Sequence, residues 1–205
     1  STAQWLQTFA TVAQKSLTVS YDWTPNGRIP DQYEKAFGHN GYMTETFSPD
    51  ILYVQDFYSF SDAIALSDFA KKLAEISPTT ELKVYNAENE TQDGMKAAQN
   101  LGIDLVDWRA AIKYLKTQGY SASHLNDVYD GWHPNVTSGF VGALMIYMDI
   151  YGEVPNVEGL LQTTVLSVHG YKESIYDYLL GYTEADKKAS LASIVAIAKQ
   201  YVLDN

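Results

Sequence analysis

Asp50-Ile-Leu-Tyr-Val-Gln55, then a helical pattern from Ser61 to Ile76, then Glu81-Leu-Lys-Val-Tyr-Asn86, is the stretch that decides the fold. The first run is apolar almost throughout and is bounded by Pro49, as expected of a strand buried on both faces in a parallel sheet. The second run repeats the strand pattern. Downstream, Thr91 to Leu101 reads as a helix, Ile103-Asp-Leu-Val-Asp107 as a third short strand, and Trp108 to Thr117 as a further helix. Strand and helix alternating at this length predict a mainly parallel sheet with helices on both faces and right-handed crossovers, an α/β/α arrangement.

Upstream, Trp5, Leu6, Phe9, Ala10, Val12 and Ala13 fall at helical spacing, and Ser16 to Tyr21 switches to the period-two alternation of a short strand. Asp22 to Pro49 contains Pro25, Asn26, Gly27 and Pro30 and predicts a long loop. Toward the other end, Ser138 to Tyr151 predicts a helix whose Gly139, Gly142 and Ala143 allow close packing. Leu160 to Val168 reads as strand or loop and Ser174 to Leu180 as helical. Thr183 is placed to cap an amphipathic helix reaching Leu203. A chain of 205 residues, 46% hydrophobic, has enough apolar material for one domain with a substantial core.

The formal net charge of -11 repels phosphate backbones and anionic lipid surfaces, and no Lys/Arg cluster interrupts it, so nucleic acid is not an expected partner. There is no cysteine, which removes disulfides, thiolate nucleophiles and iron–sulfur chemistry together. No apolar run approaches the roughly 20 residues of a membrane-spanning helix, so membrane insertion is not expected.

The densest ionisable chemistry lies in His124-Leu-Asn-Asp127-Val-Tyr-Asp130-Gly-Trp-His133. An Asp and a His three residues apart on a loop can lie side by side. The carboxylate then fixes the tautomer of the imidazole, and the other ring nitrogen faces a substrate hydroxyl. The bland alternative is an Asp-Gly turn that merely braces the loop. His124 and Asp127, one turn upstream, could join Asp130 and His133 in an Asp/His metal set, since imidazole and carboxylate suit zinc or manganese. In a doubly wound sheet, ligands bind beyond the carboxyl ends of the strands. The loops after Tyr21, Gln55 and Asn86 and the Asp130–His133 loop are therefore expected on one rim. Trp23, Tyr58 and Trp132 fall in those loops, where aromatic faces can stack on sugar rings.

Asp130-Gly-Trp-His133-Pro-Asn-Val-Thr-Ser-Gly139, followed by Ala143, Tyr147 and Gly152, resembles the last block of the SGNH (GDSL-type) hydrolase superfamily. Pro49-Asp-Ile-Leu-Tyr-Val-Gln-Asp56 resembles that family's third strand and following loop, and Leu101-Gly-Ile-Asp-Leu-Val-Asp107 its strand before the catalytic loop. The likeness covers roughly residues 1–155, leaving 156–205 as a C-terminal helical extension of the same domain. It is nearest to a bacterial, largely secreted branch with glutamine after the third strand. The resemblance implies a three-layer α/β/α sandwich with a flavodoxin-like sheet and a secreted or cell-envelope location. It also implies a serine esterase that needs no cofactor, with Asp130 and His133 catalytic and Gly27 and Gln55 as oxyanion-hole donors.

One family block has no counterpart: neither Gly-Asp-Ser nor Gly-Asn-Ser occurs in the chain. The helix containing Trp5 and Phe9 resembles the one that follows the nucleophile, so the family pattern places the attacking serine just before Ser1 or on it. The family's first strand is central in the sheet, and its place would need filling. An upstream segment, a strand from a second copy in a homodimer, or Thr163-Thr-Val-Leu-Ser-Val168 folding back would each serve. Three readings follow: an esterase acting on an acylated carbohydrate or similar ester, an inactive SGNH-like module that binds glycans or a partner, and a metal-dependent hydrolase at His124, Asp127, Asp130 and His133.

Overall fold

In a computed structural model of the chain, residues 1–21, 29–44, 47–55, 60–85, 93–131 and 133–204 are described. The elements in order are α1 (Thr2–Val12), α2 (Ile29–Phe37), β1 (Ile51–Gln55), α3 (Phe60–Ile76), β2 (Glu81–Tyr85), α4 (Asp93–Leu101) and β3 (Asp104–Val106). They continue with α5 (Trp108–Thr117), α6 (Ala122–Leu125), α7 (Val136–Tyr151), β4 (Thr164–Leu166), β5 (Lys172–Ser174) and α8 (Glu184–Val202). The chain divides into two compact units, Ser1–Tyr21 with Ala110–Asn205, and Asp22–Arg109. No helix among the described residues is long and apolar enough to cross a membrane.

The unit Asp22–Arg109 contains the parallel sheet that the apolar runs predict, in the order β1-β2-β3. Ile51 aligns with Glu81 and Gln55 with Tyr85, and Lys83 aligns with Asp104 and Tyr85 with Val106. Val54 and Val84 are buried beside Leu66, Phe69 and Leu73 of α3 and Ile29 and Ala36 of α2. Helix α2 lies inside the stretch read as a long loop. Pro30 is in its first turn, where a missing N–H costs nothing, and Ile29, Tyr33, Ala36 and Phe37 give it an apolar stripe. Among the described strands none pairs with β1 on the side away from β2. There the side-chain amide of Gln32 takes both backbone groups of Gln55, accepting its N–H at 2.9 Å and donating to its carbonyl at 2.7 Å.

The other unit is built on α7, whose residues Val136 to Met148 are all buried. A helix apolar around its whole circumference must be enclosed, and α7 packs against both α1 and α8. Trp5 and Phe9 of α1 meet Phe140 edge to face, both at 5.1 Å, and the Trp5 indole N–H donates to the Val136 carbonyl at 3.0 Å. That bond ties the middle of α1 to the start of α7. Thr183 caps α8 as its position predicts, accepting from the Asp186 N–H.

Three further local expectations are revised. Ser16–Tyr21 forms no strand, since alternation alone cannot hold a strand that lacks a partner among the described residues. Residues 163–168 do not return to a parallel sheet; β4 pairs antiparallel with β5, Val165 opposite Glu173. The helix read from Ser174 is the end of β5 followed by a single 3₁₀ turn, Ile175–Tyr178.

Candidate functional site

The His124–His133 segment is pinned closed by its own backbone. Asp127 N–H donates to the His133 carbonyl at 2.7 Å, Gly131 N–H to the Asp127 carbonyl at 2.8 Å, and the Asn126 amide to the Gly131 carbonyl at 2.7 Å. Gly131 turns the chain with a φ of 71°, a left-handed conformation that explains why glycine follows Asp130. Just beyond the loop, Asn135 caps α7 by accepting from the N–H groups of Thr137 and Ser138, and its amide donates to the His124 carbonyl at 2.9 Å. The Ser138 hydroxyl donates to the Leu125 carbonyl at 2.5 Å. His133 therefore leaves a hydrogen-bonded turn at the head of a helix buried from Val136 to Met148.

Within that turn Asp130 holds His133 twice. Oδ1 accepts the His133 backbone N–H at 2.9 Å, and Oδ2 lies 2.6 Å from the ring Nδ1. With the shared proton on Nδ1, Nε2 keeps its lone pair, which is the tautomer a general base needs. The His133 side chain is about half exposed, while that of Asp130 is only a quarter exposed.

Two further groups complete the cluster, and no local spacing marks one of them. His169, in the turn between β4 and β5, places Nε2 at 3.0 Å from the same Asp130 Oδ2 and 3.6 Å from Asp127 Oδ1. Asp127 has a fully buried side chain; its Oδ1 accepts the Tyr129 N–H at 2.8 Å, while its Oδ2 has no hydrogen-bond partner among the described residues. Beside His169, Tyr129 and Tyr171 stack at 4.6 Å, and they are 60% and 51% exposed. Burial and the adjoining Glu173 carboxylate raise the Tyr178 hydroxyl far above the usual tyrosine range, and Asp127 adds to that rise.

The structure brings Asp130 and His133 together as their spacing predicts. Ser1 lies in the same unit, at the N-cap of α1, with its side chain seated against Gly139 of α7. The four-residue metal set at His124, Asp127, Asp130 and His133 does not form as expected. His124 faces away, its Nδ1 accepting the Ser121 N–H at 3.0 Å in a capping box. Among the described residues, the group able to hold a metal is Asp127, Asp130 and His169. Gln55 ends β1 in the other unit. Gly27, Trp23, Tyr58 and Trp132 lie outside the described residues. No protein-family model, no curated protein and no solved structure matches the chain.

Proposed function

We propose that the chain is an SGNH-type serine esterase on a three-layer α/β/α sandwich, removing an acyl group from a carbohydrate ester outside the bacterial cytoplasm. The observation that carries this reading is the Asp130–His133 pair, with the 2.6 Å contact at Nδ1 and the second bond to the backbone N–H. His133 Nε2 takes the proton from a serine hydroxyl as its oxygen attacks the ester carbonyl. The same nitrogen returns that proton to the departing alcohol, and water then releases the acyl group by the reverse proton path. Ser1 is the nucleophile in this reading, because it stands at the start of the helix packed on α7, whose first turn follows His133 directly.

Turnover of p-nitrophenyl acetate and labelling by a serine-directed phosphonate test it together. Esterase activity that falls by about 10³-fold or more in His133→Ala, with the phosphonate mapped to Ser1, is the expected result. The exposed Tyr129–Tyr171 stack favours a second reading, a module that binds glycans without cleaving them. Retention on an acylated polysaccharide, with neither turnover nor labelling, would replace the first reading by the second.

A further inference from the structure

We propose that Asp127, Asp130 and His169 form a binding site for one divalent transition-metal ion of the zinc type. Their ligand atoms all lie within 4.8 Å of one another, and His169 Nε2 is 3.0 Å from Asp130 Oδ2 and 3.6 Å from Asp127 Oδ1. Metal–ligand bonds of about 2.0–2.2 Å set tetrahedral ligand atoms roughly 3.3–3.6 Å apart, so the two separations from His169 are already near that span and the carboxylates, within 4.8 Å of each other, need only a modest approach. One imidazole with two carboxylates is a donor set that suits zinc, and it leaves a fourth position open to water.

Proximity among acidic groups is common and proves nothing by itself. What singles out this cluster is Asp127. Its side chain is 0% exposed and one carboxylate oxygen has no donor among the described residues. A carboxylate taken out of water with an oxygen unclaimed is strongly disfavoured unless a cation or a proton satisfies it. Without a metal, His169 Nε2 donates its proton toward both carboxylates. On binding, the proton moves to Nδ1 or to solvent and Nε2 supplies its lone pair. Asp130 Oδ2 retains the His133 Nδ1–H bond through its second lone pair, so the ion and the Asp130–His133 pair are compatible. The site does not depend on the esterase reading, since binding is measured without turnover.

The test uses the full chain, stripped with a chelator and dialysed against micromolar zinc. One zinc retained per chain and a thermal midpoint raised by zinc are expected, with cobalt giving the visible absorption of a four-coordinate nitrogen and oxygen site. Asp127→Asn and His169→Ala should each weaken zinc affinity by about tenfold or more. His169 is 38% exposed, so its truncation is safe for folding and keeps the test decisive if Asp127→Asn unfolds the chain. Absence of saturable zinc binding, or zinc affinity in His169→Ala equal to that of the unsubstituted chain, overturns the proposal.

Discussion

His169 Nε2 sits 3.0 Å from Asp130 Oδ2, the oxygen that also lies 2.6 Å from His133 Nδ1. A single carboxylate oxygen thus faces two imidazoles, and both nitrogens must carry protons for both contacts to be bonds. That requirement fixes the His133 tautomer more firmly than one pair would, because a donor at Oδ2 would oppose two donors at once. Asp130→Asn is isosteric but offers either an N–H or a weaker acceptor at that point. Its expected effect is a fall in kcat of about 10³- to 10⁴-fold at an unchanged thermal midpoint, as His133 turns to the wrong tautomer. His169→Ala removes only one of the two donors and should cost about tenfold or less. Esterase activity within tenfold of the parent in Asp130→Asn would sink the acid/base assignment.

Gly139 is where the second half of the proposed site can be tested without touching an ionisable group. A Cβ there would overlap both Oγ and Cβ of Ser1 and press on the Thr2 backbone nitrogen, and rotating the serine relieves only the first contact. Alanine in a helix is worth about 1 kcal/mol over glycine, whereas overpacking a tight contact costs about 1–3 kcal/mol. The clash should win. Gly139→Ala is expected to lower stability by about 1–2 kcal/mol in urea unfolding and to abolish whatever turnover depends on Ser1. An alanine variant at least as stable as the parent would mean that α1 does not approach α7 this closely.

The parts of the fold legible in the sequence are those set by burial of contiguous residues. Leu52, Val54 and Val84 need cover from α2 and α3, so the runs around them read correctly as strands of a parallel sheet. Signals that depend on a partner read less well: Ser16–Tyr21 alternates as a strand should, but no neighbouring strand is present among the described residues. Pro30 shows the opposite error, since a residue that interrupts helices in their interior is at home in a first turn. At the site, Asp130 and His133 were legible because a three-residue spacing is local chemistry. His169 was not, because only the β4–β5 hairpin, with Gly170 at a φ of 81°, returns it to Asp130.

His124 supplies a pH-dependent contribution to stability away from the Asp130–His133 pair. Its Nδ1 accepts the Ser121 N–H at 3.0 Å, which only the neutral ring can do. Burial, with a smaller part from the Lys187 ammonium, lowers its pKa from the ordinary 6.5. The unfolded chain therefore binds the proton more readily than the folded one. The contribution is fully present above pH 6.5 and is lost as the pH falls below it. A capping contact of this kind is worth roughly 1 kcal/mol. The thermal midpoint should drop between pH 7.5 and pH 5, and the drop should shrink in His124→Gln, which keeps an acceptor that does not titrate. Equal drops in the two proteins would assign the acid sensitivity elsewhere.

Thr137 offers a prediction that runs against the usual direction of core substitutions. It is completely buried in the first turn of α7, and its hydroxyl oxygen has no hydrogen-bond partner among the described residues. The backbone N–H of Thr137 is held by Asn135 Oδ1 at 2.9 Å, so the cap survives any change of side chain. Valine has the same shape and a similar helix propensity, and it removes a buried hydroxyl whose desolvation costs about 1–3 kcal/mol when unpaired. Thr137→Val should therefore raise stability by about 1 kcal/mol, read as a higher urea midpoint with an unchanged slope. A loss of stability of that size would instead show that the hydroxyl is bonded in solution, with a buried water as its partner.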